Sequence, residues 1–487
     1  MSFHRLIPAT LCASLLAAGC SSLPADLGRA DVARELSSRG LTMPDATARD
    51  DVRAWLAVPL SLDRAIQIAL LRNPQLRAET ARLGFAAADV YEAGRLANPL
   101  LSATWLAAGD EPHAQLTLGI AVNFTDLLFV RARATIADTQ FEHARLVVGN
   151  AALDLATDVE KAYRRVAAAE RQRQLQATLM QAAQTSATFA QRYFAAGNLK
   201  RRELALEQAA ATQAALDADR AQLAVELARS DFSRVLGLAI DERRWTLAEP
   251  LAAPPAQEDA PATLVTLALD NRLDLAAARR HADAVAQRYG LHRKTQWLDG
   301  ATIGAERERE YDGGAHGGAS FGLALPLFDW GRGRRARGEA ELRIAEAGID
   351  ARRLDVIRDV DAATARVTEA RQRVERYRTQ LIPAREQVVE QTQRELHYML
   401  VDIFELLAAR RQADLAYGGY LDALRDYWLA RADLARAIGR RLPGTPDTAN
   451  ADPFTPPSAA DDASAAMPMH PEHHPAAMPA TGVDDEH

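Results

Sequence analysis

The chain has 487 residues, of which 48% are hydrophobic and 25% charged, so a sizeable core is available. A formal net charge of −7 excludes the basic footprint of a nucleic-acid binder. Of the two cysteines, Cys12 lies in an apolar leader, so no internal disulfide is expected to hold an exported chain together. No Walker loop, GxSxG, HExxH or CxxC pattern occurs, and no residue set argues for an enzyme or for a resident cofactor.

Residues 1–19 open with a short polar start containing Arg5, continue with an apolar run from Leu6 to Ala18, and end on small residues ahead of Cys20. This is the layout of a secretory signal peptide, and the run is too short for a permanent membrane span. The stretch Leu16-Ala17-Ala18-Gly19-Cys20 resembles a bacterial lipobox, although Ala17 stands where Leu is usual. That resemblance implies a covalent lipid on Cys20, and Ser21 after it implies sorting to the outer membrane. The alternative is an ordinary signal peptide with an incidental Cys20. Residues 20–60 are expected as a lipidated N-terminal segment.

From Ser61 the chain is written twice. Ala69, Leu70, Asn73, Leu76 and Ala78 are answered by Ala268, Leu269, Asn271, Leu275 and Ala277, and Asp158-Val159-Glu160 by Asp359-Val360-Asp361. A nearly constant offset of about two hundred residues marks a tandem duplication rather than a solenoid. The boundaries read as a first repeat at 61–245, a linker at 246–260 and a second repeat at 261–442.

In each copy a helix precedes a strand pair. Leu116 to Phe124 alternates large apolar with small or polar residues, as does Phe321 to Leu327. Their expected partners are Leu100 to Ala107 and Ala301 to Tyr311. Long helices follow, from about Arg131 to Ala196 and from about Arg334 to Tyr398, in sequence rich in Ala, Gln, Arg, Glu and Leu. Val360, Ala363, Val367, Ala370, Val374, Tyr377 and Leu381 recur at steps of three and four, the coiled-coil spacing. Pro383 is expected to kink the second long helix. Return helices are predicted from Arg201 to Leu236 and from Ile403 to Ile438, capped by Gly237 and Gly439.

Strands of about ten residues with one apolar face fit a membrane β-barrel. Four strands are too few to close one, and an open sheet edge is not tolerated in lipid. The predicted fold is therefore mainly α with a small membrane β-barrel. Three chains would share twelve strands, with the helices gathered into a periplasmic α-barrel.

On these residues the chain resembles the TolC-like outer-membrane efflux family over roughly Leu60 to Leu442. The resemblance rests on the duplicated plan and on "SLDRAIQIALLRNPQL" from Ser61, "RYFAAGN" from Arg192, "LPLFDWGRGRRAR" from Leu325 and "LVDIFELLAARR" from Leu400. It implies a homotrimer that transports without catalysis, working with a periplasmic adaptor protein and an inner-membrane transporter. It further implies that Gly197, Asn198, Leu199, Met399, Leu400 and Val401 form the tips that meet the adaptor. Glu405 falls where the family has an acidic gating residue, with Glu203 as its counterpart; a second acidic position is Ala408 here. Each Glu either lines the aperture or is a solvent-facing residue that stabilises a helix start.

Residues 443–487 are rich in Pro, Ala, Asp and Ser and are expected to be disordered. Met467, Met469, His470, His473, His474 and Met478 in this tail supply thioether and imidazole groups suited to Cu(I) or Ag(I). Incidental low complexity is the alternative. Three functions follow: an outer-membrane channel lipoprotein exporting copper or silver ions, a channel for drugs or other small molecules, or a structural coiled-coil lipoprotein without a pore.

Overall fold

The structure is a computed structural model that describes residues 26–442, apart from residues 50, 108, 110–113, 249–250, 256–260, 299 and 325–326. The expected signal segment, Cys20, Leu325 and the Met/His-rich tail lie outside the described residues.

Two short helices, α1 (Arg29–Ser37) and α2 (Val52–Leu56), lead into the first repeat. That repeat comprises α3 (Leu62–Arg72), α4 (Pro74–Ala93), β1 (Leu100–Leu106), β2 (Gln115–Asn123), α5 (Phe124–Ala195) and α6 (Arg201–Leu236). The second comprises α7 (Pro261–Asn271), α8 (Leu273–Thr295), β3 (Thr302–Arg309), β4 (Ala315–Gly322), α9 (Arg332–Arg376), α10 (Ile382–His397) and α11 (Ile403–Ile438). The same order of elements in both halves bears out the duplication.

Among the described residues, one compact unit draws on residues 26–170, 224–380 and 420–442, and another on residues 171–223 and 381–419. The core of the first contains Leu36, Leu60, Ile68, Leu83, Val159, Val166 and Leu236, all buried. At its centre Phe232 stands edge-on to Tyr163 and Trp245, with centroids 5.9 and 4.9 Å apart. Both polar tips are satisfied: the Tyr163 hydroxyl donates to the Leu60 carbonyl (3.0 Å) and the Trp245 indole to Ser233 Oγ (3.3 Å).

The corner before each second helix shows one task met by two chemistries. Asn73 caps α4, its Oδ1 accepting from the Gln75 and Leu76 amides at 2.9 and 3.1 Å, with Pro74 at the first helical position. Its Nδ2 donates to the Val235 carbonyl at 2.9 Å. In the second copy Arg272, not the expected counterpart Asn271, takes this place and reaches the Ala437 carbonyl (3.4 Å), because Asn271 is the last residue of α7. It also holds Asp274 through two hydrogen bonds, at 2.8 and 2.6 Å. Burial opposes charge on Asp274, yet the hydrogen bonds and charge of Arg272, with Arg352 nearby, keep it below the usual carboxylate range.

α5 runs 72 residues without a break, starting at Phe124 straight from β2 rather than near Arg131. The second long helix is interrupted just before Pro383. There Tyr377–Leu381 forms one π-helical turn between α9 and α10. Proline denies a donor to the turn before it, and a wider i→i+5 turn absorbs the loss. The extra residue shifts the stripe by one position. Val360, Ala363, Val367, Ala370 and Val374 are buried as predicted, but beyond the π turn Ile382 is buried and Leu381 exposed.

The four strands form one antiparallel sheet in the order β1-β2-β3-β4. The partners foreseen for the hairpins are correct, but the last strand is Ala315–Gly322, not Phe321 to Leu327. The turn decides this. Glu310 N donates to the Gly314 carbonyl (2.8 Å), Gly313 N to the Glu310 carbonyl (3.0 Å) and Gly314 N to Asp312 Oδ1 (2.7 Å), which sets Ala315 opposite Arg309. Of the large apolar residues expected in that strand, Phe321 is in it and Leu323 lies just past its end.

Gly237 and Gly439 both end return helices at positive φ (73° and 72°). A Cβ on Gly237 would lie 2.7 Å from the Arg72 carbonyl oxygen, whereas one on Gly197 (φ 80°) would meet nothing within 4 Å. Gly237→Ala should therefore cost at least about 2 kcal/mol, backbone strain plus overpacking. Gly197→Ala should cost only the backbone part, about 1–2 kcal/mol. Urea unfolding of the full chain checks the order; equal losses would contradict the packed corner.

Candidate functional site

Two regions of the chain carry surface chemistry that the core does not explain: the helix tips and the sheet. At the first tip Gly197 N donates to the Phe194 carbonyl (3.0 Å) and Asn198 N to the Tyr193 carbonyl (2.9 Å). The second repeats this closure with Met399 N to the Leu396 carbonyl and Leu400 N to the Glu395 carbonyl, both 2.9 Å. Both turns need a left-handed residue, supplied by Gly197 in one and by Met399 (φ 60°) in the other. A methionine there is strained, and it is 92% exposed, with Tyr398 and Leu400 exposed beside it. Leu199 and Val401 are half-buried.

The two acids at the tips differ. Glu203 reaches back, its Oε2 accepting from the Lys200 amide at 3.0 Å, and so stabilises the start of α6. In the second copy that role passes to Asp402, whose Oδ1 accepts from the Glu405 amide at 2.9 Å. Glu405 is left exposed, its carboxylate bound to no described group.

Glu207, one turn beyond Glu203, is only 5% exposed. It accepts from Ser186 Oγ at 2.6 Å and from Arg411 at 3.2 and 3.4 Å. Sequence reading passed over it because charge on long helices reads as a solvated face. Aligning the repeats gives the signal: Ala409 corresponds to Glu207 and Ala209 to Arg411, so each copy supplies one partner.

On the sheet, the register sorts most side chains by polarity; Arg307 and Arg309 fall on the otherwise apolar face, and Leu100 and Leu106 on the otherwise polar one. One face carries Leu101, Trp105, Leu116, Leu118, Ile120, Val122, Ile303 and Phe321. The other carries Ser102, Thr104, Thr117, Gly119, Asn123, Thr302, Glu306 and Glu308. His316 sits opposite Glu308 on this polar face, and Gln115 donates to Glu308. The "ERER" run of β3 alternates and so sends its two acids to this side. A Cβ on Gly119 would lie 2.6 Å from Ser102 Oγ, so the polar face is crowded there. Among the described residues no three His, Cys, Asp or Glu gather to hold a metal, and no described helix is long and apolar enough to cross a membrane.

An apolar sheet face with repeated helical hairpins is the arrangement seen in TolC-like outer-membrane channels. Residues 264–440 match the family model described as Outer membrane efflux protein, and the chain carries a domain of that family. Its members are non-enzymatic transport channels of the outer membrane. No curated protein matches the chain in sequence.

Similar solved structures include the outer membrane protein VceC of Vibrio cholerae, with TM-score 0.65 and 19% identity over 78% of this chain and 96% of that one. The outer membrane channel CmeC of Campylobacter jejuni gives TM-score 0.66 and 14% identity over 78% and 85%. The outer membrane channel MtrE of Neisseria gonorrhoeae, in an open state, gives 0.63 and 18% over 78% and 89%. At these identities the likeness speaks to fold.

Glu203→Ala should destabilise the chain by about 0.5–1 kcal/mol through loss of the helix-start contact. Glu405→Ala should leave thermal unfolding unchanged. The reverse ranking would show that Glu405, not Glu203, supports its helix.

Proposed function

We propose that this chain is the outer-membrane exit duct of a tripartite efflux system, a homotrimer that passes soft metal cations such as Cu(I) or Ag(I) delivered by an inner-membrane transporter and an adaptor. The sheet carries the reading. Its apolar face asks for lipid, and its edges, β1 and β4, have backbone groups that must be paired there. Two chains would close eight strands, whose interior side chains fill, leaving no duct. Three give twelve strands and a lumen lined by the polar face.

The cation assignment draws on Glu306 and Glu308 of that face, repeated around the axis, and on the thioethers and imidazoles of the tail. Glu405, exposed and unpaired, is the aperture acid; Met399 and Leu400 with Gly197, Asn198, Leu199 and Val401 offer the adaptor its docking turns. Cys20 carries the lipid anchor, secondary to the barrel.

In planar bilayers the purified protein should conduct with a preference for cations, reduced by Glu306→Gln with Glu308→Gln. Glu405→Ala should raise conductance and weaken divalent block. Ile120→Arg puts a charge on the lipid face at a cost of about 2–4 kcal/mol and should cut trimer yield. A monodisperse, non-conducting monomer in mild detergent would sink the channel reading.

Deleting the gene should sensitise cells to copper or silver, and truncation after Pro456 should do so only partly while trimers still form. Sensitivity to antibiotics alone would move the substrate to organic molecules. A clickable palmitate analogue should label the wild type and not Cys20→Ser; equal labelling removes the lipid anchor.

A further inference from the structure

The lipid-facing side of the sheet has one feature that a passive duct does not need. Arg307 and Arg309 pair with Leu118 and Leu116 across the β2–β3 ladder, so both guanidinium groups emerge on the apolar face. Both are exposed, and neither has an ion pair or side-chain hydrogen bond among the described residues. The carboxylates of their own strand, Glu306 and Glu308, point to the opposite face.

β3 lies between β2 and β4, so a neighbouring chain pairing at the sheet's edges would not cover these positions. Beside them on β4 stand Gly317 and Ala315, whose side chains are too small to cover them. Trp105 shares the row of Leu116 and Arg309 and is 71% exposed.

Depth decides what the arginines do. Successive rows are about 7 Å apart along a strand. Arg309 occupies the last paired row before the Glu310–Gly314 turn, and Arg307 the row below. The rows beneath are apolar: Ile120 with Ala305 and Ala319, then Val122 with Ile303 and Phe321. The arginines thus sit at the tip end of the hydrocarbon band, beside an interfacial tryptophan, where a long side chain extends its charge into the headgroups at little cost. Two arginines one row, about 7 Å, apart along the strand, with no counter-ion among the described residues, match anionic oxygens that accept in pairs.

We propose that Arg307 and Arg309 form a binding site on the outer wall of the barrel for the phosphate groups of a phosphorylated glycolipid of the outer leaflet. The acyl chains of that lipid lie along Leu118, Ile120 and Phe321. The inference rests on the outer-membrane barrel reading, which sets the hairpin turns at the outer leaflet. With one site per chain, each trimer carries three such lipids around its rim.

The test uses the full-length trimer in phosphatidylcholine nanodiscs. Adding bisphosphorylated lipid A should raise the temperature of trimer dissociation. Dephosphorylated lipid A, phosphatidylglycerol and inorganic phosphate at equal concentration should do so much less. The Arg307→Gln, Arg309→Gln double variant should lose the lipid A shift while still inserting and conducting. Arg307→Lys with Arg309→Lys should keep a reduced shift, since charge is retained but the paired geometry is not. An equal shift in the Gln variant, or an equal shift from inorganic phosphate, overturns the site and leaves the channel standing. Failure of the wild type to insert as a trimer overturns the barrel reading and the site with it.

Discussion

An unpaired strand edge cannot remain in hydrocarbon, and this constraint governs everything else about the chain. β1 and β4 each offer one row of backbone donors and acceptors to whatever lies beside them. In water such an edge invites aggregation, and in lipid it costs several kcal/mol per unsatisfied group. Pairing β1 of one copy with β4 of the next removes both problems at once. Closure also gives the two faces their meaning, since only a closed ring separates an inside from an outside. The apolar side chains and the small or polar ones were already sorted by the pleat; assembly assigns them to lipid and to water.

The duplication supplies the helices that such a ring requires, and the copies have kept backbone solutions while exchanging side-chain ones. Asn73 and Arg272 both reach the carbonyl two residues before a left-handed glycine, one as an amide, the other as a guanidinium that brings Asp274 with it. Gly197 and Met399 close equivalent turns, one at ease and one strained. Glu207 and Arg411 divide a single ion pair between repeats. Divergence of this kind breaks the internal twofold likeness without moving a helix. It also leaves the two tips with different surfaces.

Much of this was legible in the sequence, for reasons that can be named. The helices announced themselves by a pattern sustained over many turns, and Gly237 and Gly439 by the backbone conformation only glycine adopts cheaply. β2 was legible because Leu116, Leu118, Ile120 and Val122 alternate with smaller residues. β4 was not, because Ala315 to Gly322 is mostly glycine, alanine and polar residues, while the stretch after it alternates better. Hydrophobic alternation measures burial on one face. The strand's position was set instead by the hydrogen bonds of the Glu310–Gly314 turn, which alternation does not see. Leu381 was misplaced for a similar reason: a π turn adds a residue to the period, and a stripe counted at constant spacing cannot register it. Glu207 stayed hidden because its partner is two hundred residues away.

β3 shows how tightly register and electrostatics are bound together. Along Glu306, Arg307, Glu308 and Arg309 the charge alternates with the same period as the pleat. In the proposed barrel the acids fall inside, where water reaches them, and the arginines outside, where long stems carry charge to the membrane surface. A slip of one residue would reverse every assignment, placing two short carboxylates in lipid and two guanidinium groups in the duct. Glutamate has no stem long enough to escape the hydrocarbon, so the slipped sheet pays twice, in desolvation and in an inverted lumen charge. The Asp312-Gly313-Gly314 turn therefore does more than reverse the chain. By fixing Ala315 against Arg309 it keeps the last hairpin in register, and with it the sign of the charge on each wall of the barrel.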